Sequence, residues 1–172
     1  MILLEVSMPE RQTIKRARKD KREGKSASTQ AGEFVREEIH HIREGKHGAR
    51  SAKQAIAIGL SKARRAGVKL RAPKKGEAPA RTRRAAKRDL ARGRSRSKKR
   101  PSAARSSAMT RRLRREGRRA ASRTALSRQA HASARARTAK ERSAAARKAV
   151  RTKGAAGRSA AARKAARTRR KR

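Results

Sequence analysis

Arg83-Arg84, Arg111-Arg112, Arg114-Arg115, Arg118-Arg119, Arg147-Lys148, Arg163-Lys164 and Arg169-Arg170-Lys171-Arg172 are the groups in this chain whose chemistry is plainest. A guanidinium forms paired hydrogen bonds with a phosphate and keeps its charge at any physiological pH. Cations laid along duplex DNA release condensed counterions, with a log–log salt slope of about −0.9 per phosphate contact. Arginine also enters narrow minor grooves. Nothing in these clusters sets a register against base edges, so they are expected to bind the backbone without reading sequence.

Other chemistries find little material. The chain has no Cys, Trp or Tyr, and Phe34 is its single aromatic residue. Disulfides and thiolate metal sites are excluded. So is base stacking on an aromatic platform, which favours duplex backbone over single strands as the target. His40, His41 and His47 lie near Glu37 and Glu44. The adjacent pair points to different helix faces, and four convergent ligands are not evident. These histidines therefore read as solvated partners of nearby glutamates, with no metal site and no cofactor. No nucleophile sits beside a base and an orienting group, so an enzyme is not expected.

The charge balance names the partner class. Lys and Arg number 56 against 12 Asp and Glu, a formal +44 on 172 residues. Up to Gly76 the excess is +12, and from Glu77 onward it is +32. Such a chain repels itself and needs a polyanion. Duplex DNA is the first expectation. RNA is the second, because Arg92 to Ser97 and Lys98 to Pro101 are similar to RNA-binding or nuclear-import segments. No stretch is apolar enough to span a membrane.

The elements that position these charges are helical. Residues 9–23 read as a charged helix with a thin apolar face at Ile14 and Ala17, ended by Gly24. Ala31, Phe34, Val35, Ile39 and Ile42 recur at helical spacing, so a second helix is expected over Thr29–Arg43, capped by Ser28 or Thr29 and stopped by Gly45 or Gly48. Ser51-Ala52-Lys53-Gln54 has the form of a capping box and opens a third helix to Ala66. Gly59 and the alanines of that helix would let its neighbour approach closely, and Gly67 suits the left-handed position after its end. The two helices form an αα-hairpin, which offers a surface for self-association. A helix-turn-helix would instead turn Lys53, Gln54, Lys62 and Arg65 toward a groove. The six-residue loop is longer than such a motif uses, and the apolar stripes suit plain antiparallel packing.

The chain divides by composition into a helical module at 9–70, a Pro/Lys/Gly linker at 71–80 and an Ala/Arg/Lys-rich tail at 81–172. Residues 1–8 precede the module, and translation is expected to start at Met8, which makes 1–7 a non-native extension; the intact mass of the native protein checks this. In the tail, residues 143–153 return at 159–169 with nine of eleven positions identical. Alanine and arginine favour helix, but cations at helical spacing repel. The tail is expected to be disordered alone, with transient helix around 107–137, and to gain helix on DNA.

The segment Lys46-His47-Gly48, followed by Ser51 to Arg64 with its Lys53-Gln54-Ala55-Ile56-Ala57-Ile58 core, resembles a family of small basic bacterial proteins classed as a domain of unknown function. Some of its members are labelled DNA-binding or plasmid-stabilization proteins. The resemblance covers about Met8 to Gly76. The tail resembles linker-histone C-terminal domains and the basic tails of bacterial histone-like proteins, although its 28 Arg and 8 Lys are closer to a protamine in charge chemistry. The expectation is a mostly α, non-enzymatic, histone-like DNA-binding protein of the bacterial cytoplasm and nucleoid. The alternatives are an RNA- or ribosome-associated protein, or a partner-binding regulator of plasmid maintenance.

Overall fold

A computed structural model describes residues 9–95 and 102–170. Residues 1–8 with the expected extension, the basic segment at 98–101 and the terminal Lys171 and Arg172 lie outside the described residues. Among the described residues seven α-helices follow one another: α1 (Arg11–Arg22), α2 (Ala27–Arg43), α3 (Ala52–Arg65), α4 (Ala80–Arg94), α5 (Ala103–Arg114), α6 (Arg123–Arg135) and α7 (Ala139–Arg170). A short 3-10 turn at Arg119–Ala121 precedes α6. The mostly α class is as expected. The chain forms two compact units, one running to Ser127 and one from Arg128.

In the first unit the αα-hairpin forms where its stripes predict. Ala31, Phe34, Ile39 and Ile42 of α2 are buried, as are Ala52, Ala55 and Ala63 of α3. The helices approach closely at Gly59, where a Cβ would lie 2.7 Å from Cα of Val35 and 3.0 Å from the Phe34 carbonyl oxygen. Local signals set the ends. Ser51 Oγ accepts from the Gln54 amide at 3.2 Å, and Gln54 Oε1 accepts from the Arg50 amide, one residue earlier than a capping box places it. Gly67 takes the left-handed φ of +92°. The cap of α2 differs from expectation: Ser26, rather than Ser28 or Thr29, accepts from the Thr29 amide at 3.4 Å. Ser26 is still extended, with ψ 153°, so the helix starts two residues before Thr29.

Two apolar clusters make the core. Ala17, Ala31, Phe34, Ala63 and Val68 form one, with Ile14, Leu60 and Leu70 against it. Ile39, Ile42, Ala49, Ala55, Ala120 and Ala121 form the other, with Val35 and Leu126 against it. The second cluster corrects the expected boundary of the module. It draws on residues well past 70, because the hairpin alone cannot cover its own apolar end. Backbone carries this docking: Gly48 donates to the Leu113 carbonyl at 2.9 Å, Ala49 to Gly117 at 3.2 Å, and Arg43 Nε to Ala121 at 2.9 Å. A Cβ at Gly48 would collide with the Glu116 carbonyl.

Over the described residues the tail is mostly helical, where disorder was expected. Part of it packs. Ala86 of α4 is buried, Asp89 accepts from Ser61 of α3, and Gly93 meets the Arg64 carbonyl so closely that a side chain would collide there. The intervening linker also has a fixed turn. Arg71 grips both oxygens of Glu77 at 2.8 and 3.0 Å, and Glu77 Oε2 accepts from the Lys74 amide at 2.7 Å.

In the second unit every residue from His131 to Arg170 is exposed. Gly154 interrupts α7 with φ +62°, and the two copies of the internal repeat lie on either side of it. Alanine and arginine propensity supports these helical turns without a buried face.

Two measurements test this packing. Gly59→Ala should lower stability by about 1–3 kcal/mol through overpacking. Gly32→Ala, in the same hairpin but with open space around it, should raise stability by roughly 0.5–1 kcal/mol through helix propensity. Equal urea midpoints for the two variants would contradict the close approach at Gly59. The Arg71 fork and the Lys74 amide hold the Glu77 carboxyl down to about 2. An unfolded glutamate titrates near about 4.3, so the turn's contribution is complete above that pH and is lost as pH falls through about 2. An NMR titration of the Glu77 carboxyl carbon should show the depressed midpoint; an ordinary midpoint would mean the fork does not form.

Candidate nucleic-acid interface

The expected phosphate-binding residues divide between the two units. In the first, Arg84 of α4 is exposed and Arg83 is half-buried, its Nε enclosed without a hydrogen-bond partner. Arg111, Arg112 and Arg114 end α5 with their side chains in solvent, followed by Arg115, Arg118 and Arg119. In the second unit, Arg147, Lys148, Arg163, Lys164, Arg169 and Arg170 are exposed along α7. α7 carries twelve basic side chains and one acid, Glu141. That acid is occupied by the Thr138 amide and hydroxyl. Among the described residues no basic side chain of α5, α6 or α7 is in an ion pair, so their charge is free to meet phosphate. Lys171 and Arg172 lie outside the described residues.

The hairpin candidates have a different fate. Lys53 is exposed and Gln54 is half-buried with its carbonyl on Arg50. Arg65 is half-buried, with Nε 3.9 Å from Asp89 of α4. Lys62, expected on the surface, is 1% exposed. It falls on the α3 stripe of Ala55, Gly59 and Ala63, so α2 covers it. With Ser61 also bonded to Asp89, α4 covers much of the polar face that a recognition helix would present. Arg64, at the cationic end of α3, folds back to donate to the carbonyls of Leu70 and Arg71. Burial pushes its guanidinium pKa down, and the charge of Asp89 opposes this.

Lys62 meets two buried acids of α2. Its Nζ lies 2.7 Å from Oε2 of Glu38 and 3.8 Å from Oε1 of Glu37. The other Glu37 oxygen accepts from the Glu10 amide at 3.2 Å, which ties the start of α1 to α2. Glu38 Oε1 lies 3.3 Å from Nε2 of His47, and Nδ1 of His47 donates to the Gly48 carbonyl at 3.1 Å. His41 Nε2 is 2.8 Å from Oε1 of Glu10. This bond to His41 is the main reason the Glu10 carboxyl is held below the usual carboxylate range.

The solvated reading therefore holds for His40, which is exposed 2.9 Å from Glu44, and fails for His41 and His47, which are buried. Their ligating atoms and one from Glu38 lie within 4.8 Å of one another. The signal for this cluster was present in the spacing. Glu38 and His41 follow Phe34 by four and seven residues, on the same helical stripe. No spacing rule, however, could bring His47 or Lys62 to them.

No helix among the described residues is long and apolar enough to cross a membrane. Comparison with curated proteins and with solved structures finds no match. Residues 11–76, which hold α1, α2, α3, the buried cluster and most of the linker turn that Arg71 makes with Glu77, match DUF6496, a family of unknown function.

Proposed function

We propose that this protein binds the phosphate backbone of duplex DNA without sequence preference and compacts it, as a histone-like component of a bacterial nucleoid or plasmid. The observation that carries this reading is the second unit, where every side chain from His131 to Arg170 is exposed and the basic ones lack acidic partners. Solvent-facing charge of one sign is the footprint of a polyanion partner. The helical first unit supplies an ordered body with further arginines on α4 and α5. Cations one helical turn apart along α7 repel; bound phosphates remove that repulsion, so the helix should be more stable on DNA than off it. Absence of aromatic platforms favours duplex over single strands.

The test is binding of the full chain, and of a chain ending at Ser127, to unrelated duplex sequences and to structured RNA across a salt series. The full chain should bind all duplexes alike with a steep slope, and removal of residues 128–172 should weaken binding strongly. Changing Arg147, Lys148, Arg163 and Lys164 to Gln should make the slope shallower by about 0.9 for each phosphate that is no longer neutralised. Circular dichroism should show a gain of helix on DNA. Preference for structured RNA, or for one duplex with a shallow slope, would overturn the proposal.

A further inference from the structure

The contact between His47 and Glu38 lacks an atom that its chemistry requires. The Gly48 carbonyl can only accept, so Nδ1 of His47 carries a proton. A neutral ring then presents a lone pair at Nε2, and this nitrogen faces a carboxylate oxygen 3.3 Å away. Two acceptors face each other in a place without solvent: both side chains are 0% exposed. Neither atom has a hydrogen-bond partner. Only a cation between them, a proton or a metal ion, satisfies both.

The distance between this pair suits a metal. Ligands about 2.0–2.1 Å from a tetrahedral zinc ion lie about 3.3–3.4 Å from each other, the separation of Glu38 Oε1 and His47 Nε2. A third buried donor, His41, belongs to the same group, with all ligating atoms within 4.8 Å. His47 also carries the outer partner that metal-binding imidazoles keep, a backbone carbonyl on Nδ1, and the Glu10 carboxylate on Nε2 of His41 plays that part with Nδ1 of His41 as the ligand. We propose that Glu38, His41 and His47 bind a divalent transition ion of the zinc type, with water completing the shell. Two imidazoles and one carboxylate suit borderline ions rather than magnesium or calcium. Lys62 stands on the other oxygen of Glu38 and offsets the buried acids when no metal is bound.

The full-length protein, freed of nucleic acid and treated with a chelator, is titrated with Co²⁺ and then with Zn²⁺. One equivalent of Co²⁺ should produce the intense visible bands of a low-coordinate site, and Zn²⁺ should abolish them. Imidazole resonances of His41 and His47 should shift at one equivalent, while those of His40 and His131 stay. Glu38→Gln and His47→Gln should weaken binding by more than the roughly 10–100-fold that removal of an outer partner typically costs; His40→Gln should not. Lys62→Met removes the competing cation, so it should tighten binding by about tenfold and show a larger rise in Tm with Zn²⁺ than the unaltered chain. Because the NMR readout uses the unaltered chain, a variant that fails to fold leaves the test intact. Absence of the bands, or shifts confined to His40 or His131, would overturn the proposal and leave a proton as the bridge between His47 and Glu38.

Discussion

Glu38 and Lys62 are buried against each other, and the arrangement of the first three helices depends on that pair. Removing an ion from water costs several kcal/mol, and leaving one without its partner typically costs about 3–5 kcal/mol. α2 and α3 must therefore meet in the register that puts ammonium beside carboxylate. Gly59 lies one turn before Lys62 and lets the axes come close enough. Glu37 accepts from the Glu10 amide just before α1, and His47 brings in the loop after α2. The side chains of Glu37, Glu38, His47 and Lys62 thus fix contacts that the apolar residues, mostly alanine, would specify weakly.

That shortage of large apolar side chains explains how far the folded unit extends. A helical hairpin with one Phe and a few Ile residues cannot close its own ends, and small modules are marginal for this reason. The chain covers one end with α4 through Ala86 and Gly93, and the other with Leu113, Ala120, Ala121 and Leu126. These are residues of strongly basic segments. They pack without bringing charge inward because the contacts use alanine, leucine, glycine and backbone carbonyls, while most of the arginines between them face solvent.

The same composition gives the opposite result beyond Ser127. There, helix propensity acts without a buried face, and the repeats flank the turn at Gly154 as two short charged rods. A few charges are buried where the chain folds on itself, and none is buried from His131 to Arg170. This separation supports a division of labour in which the second unit meets a polyanion and the first provides an ordered body with its own buried chemistry.

Much of this was legible in the order of residues. The three N-terminal helices, the Ser51 cap, the Gly67 stop, the close approach at Gly59 and the basic character of the tail follow from periodicity, capping chemistry and composition, all of them local properties. The burial of Glu38 and His41 was written in the stripe that starts at Phe34, but charged side chains on an apolar stripe read as surface until a partner is known. That partner, Lys62, lies 24 positions away, and His47 is turned inward by a loop whose backbone is held by carbonyls of Leu113 and Gly117. By itself the sequence determined the three N-terminal helices and the distribution of charge. The tertiary structure decided which charges meet in the core and which basic segments fold back, because both depend on contacts between residues far apart in the chain, where the cost of an unpaired buried ion outweighs any local preference.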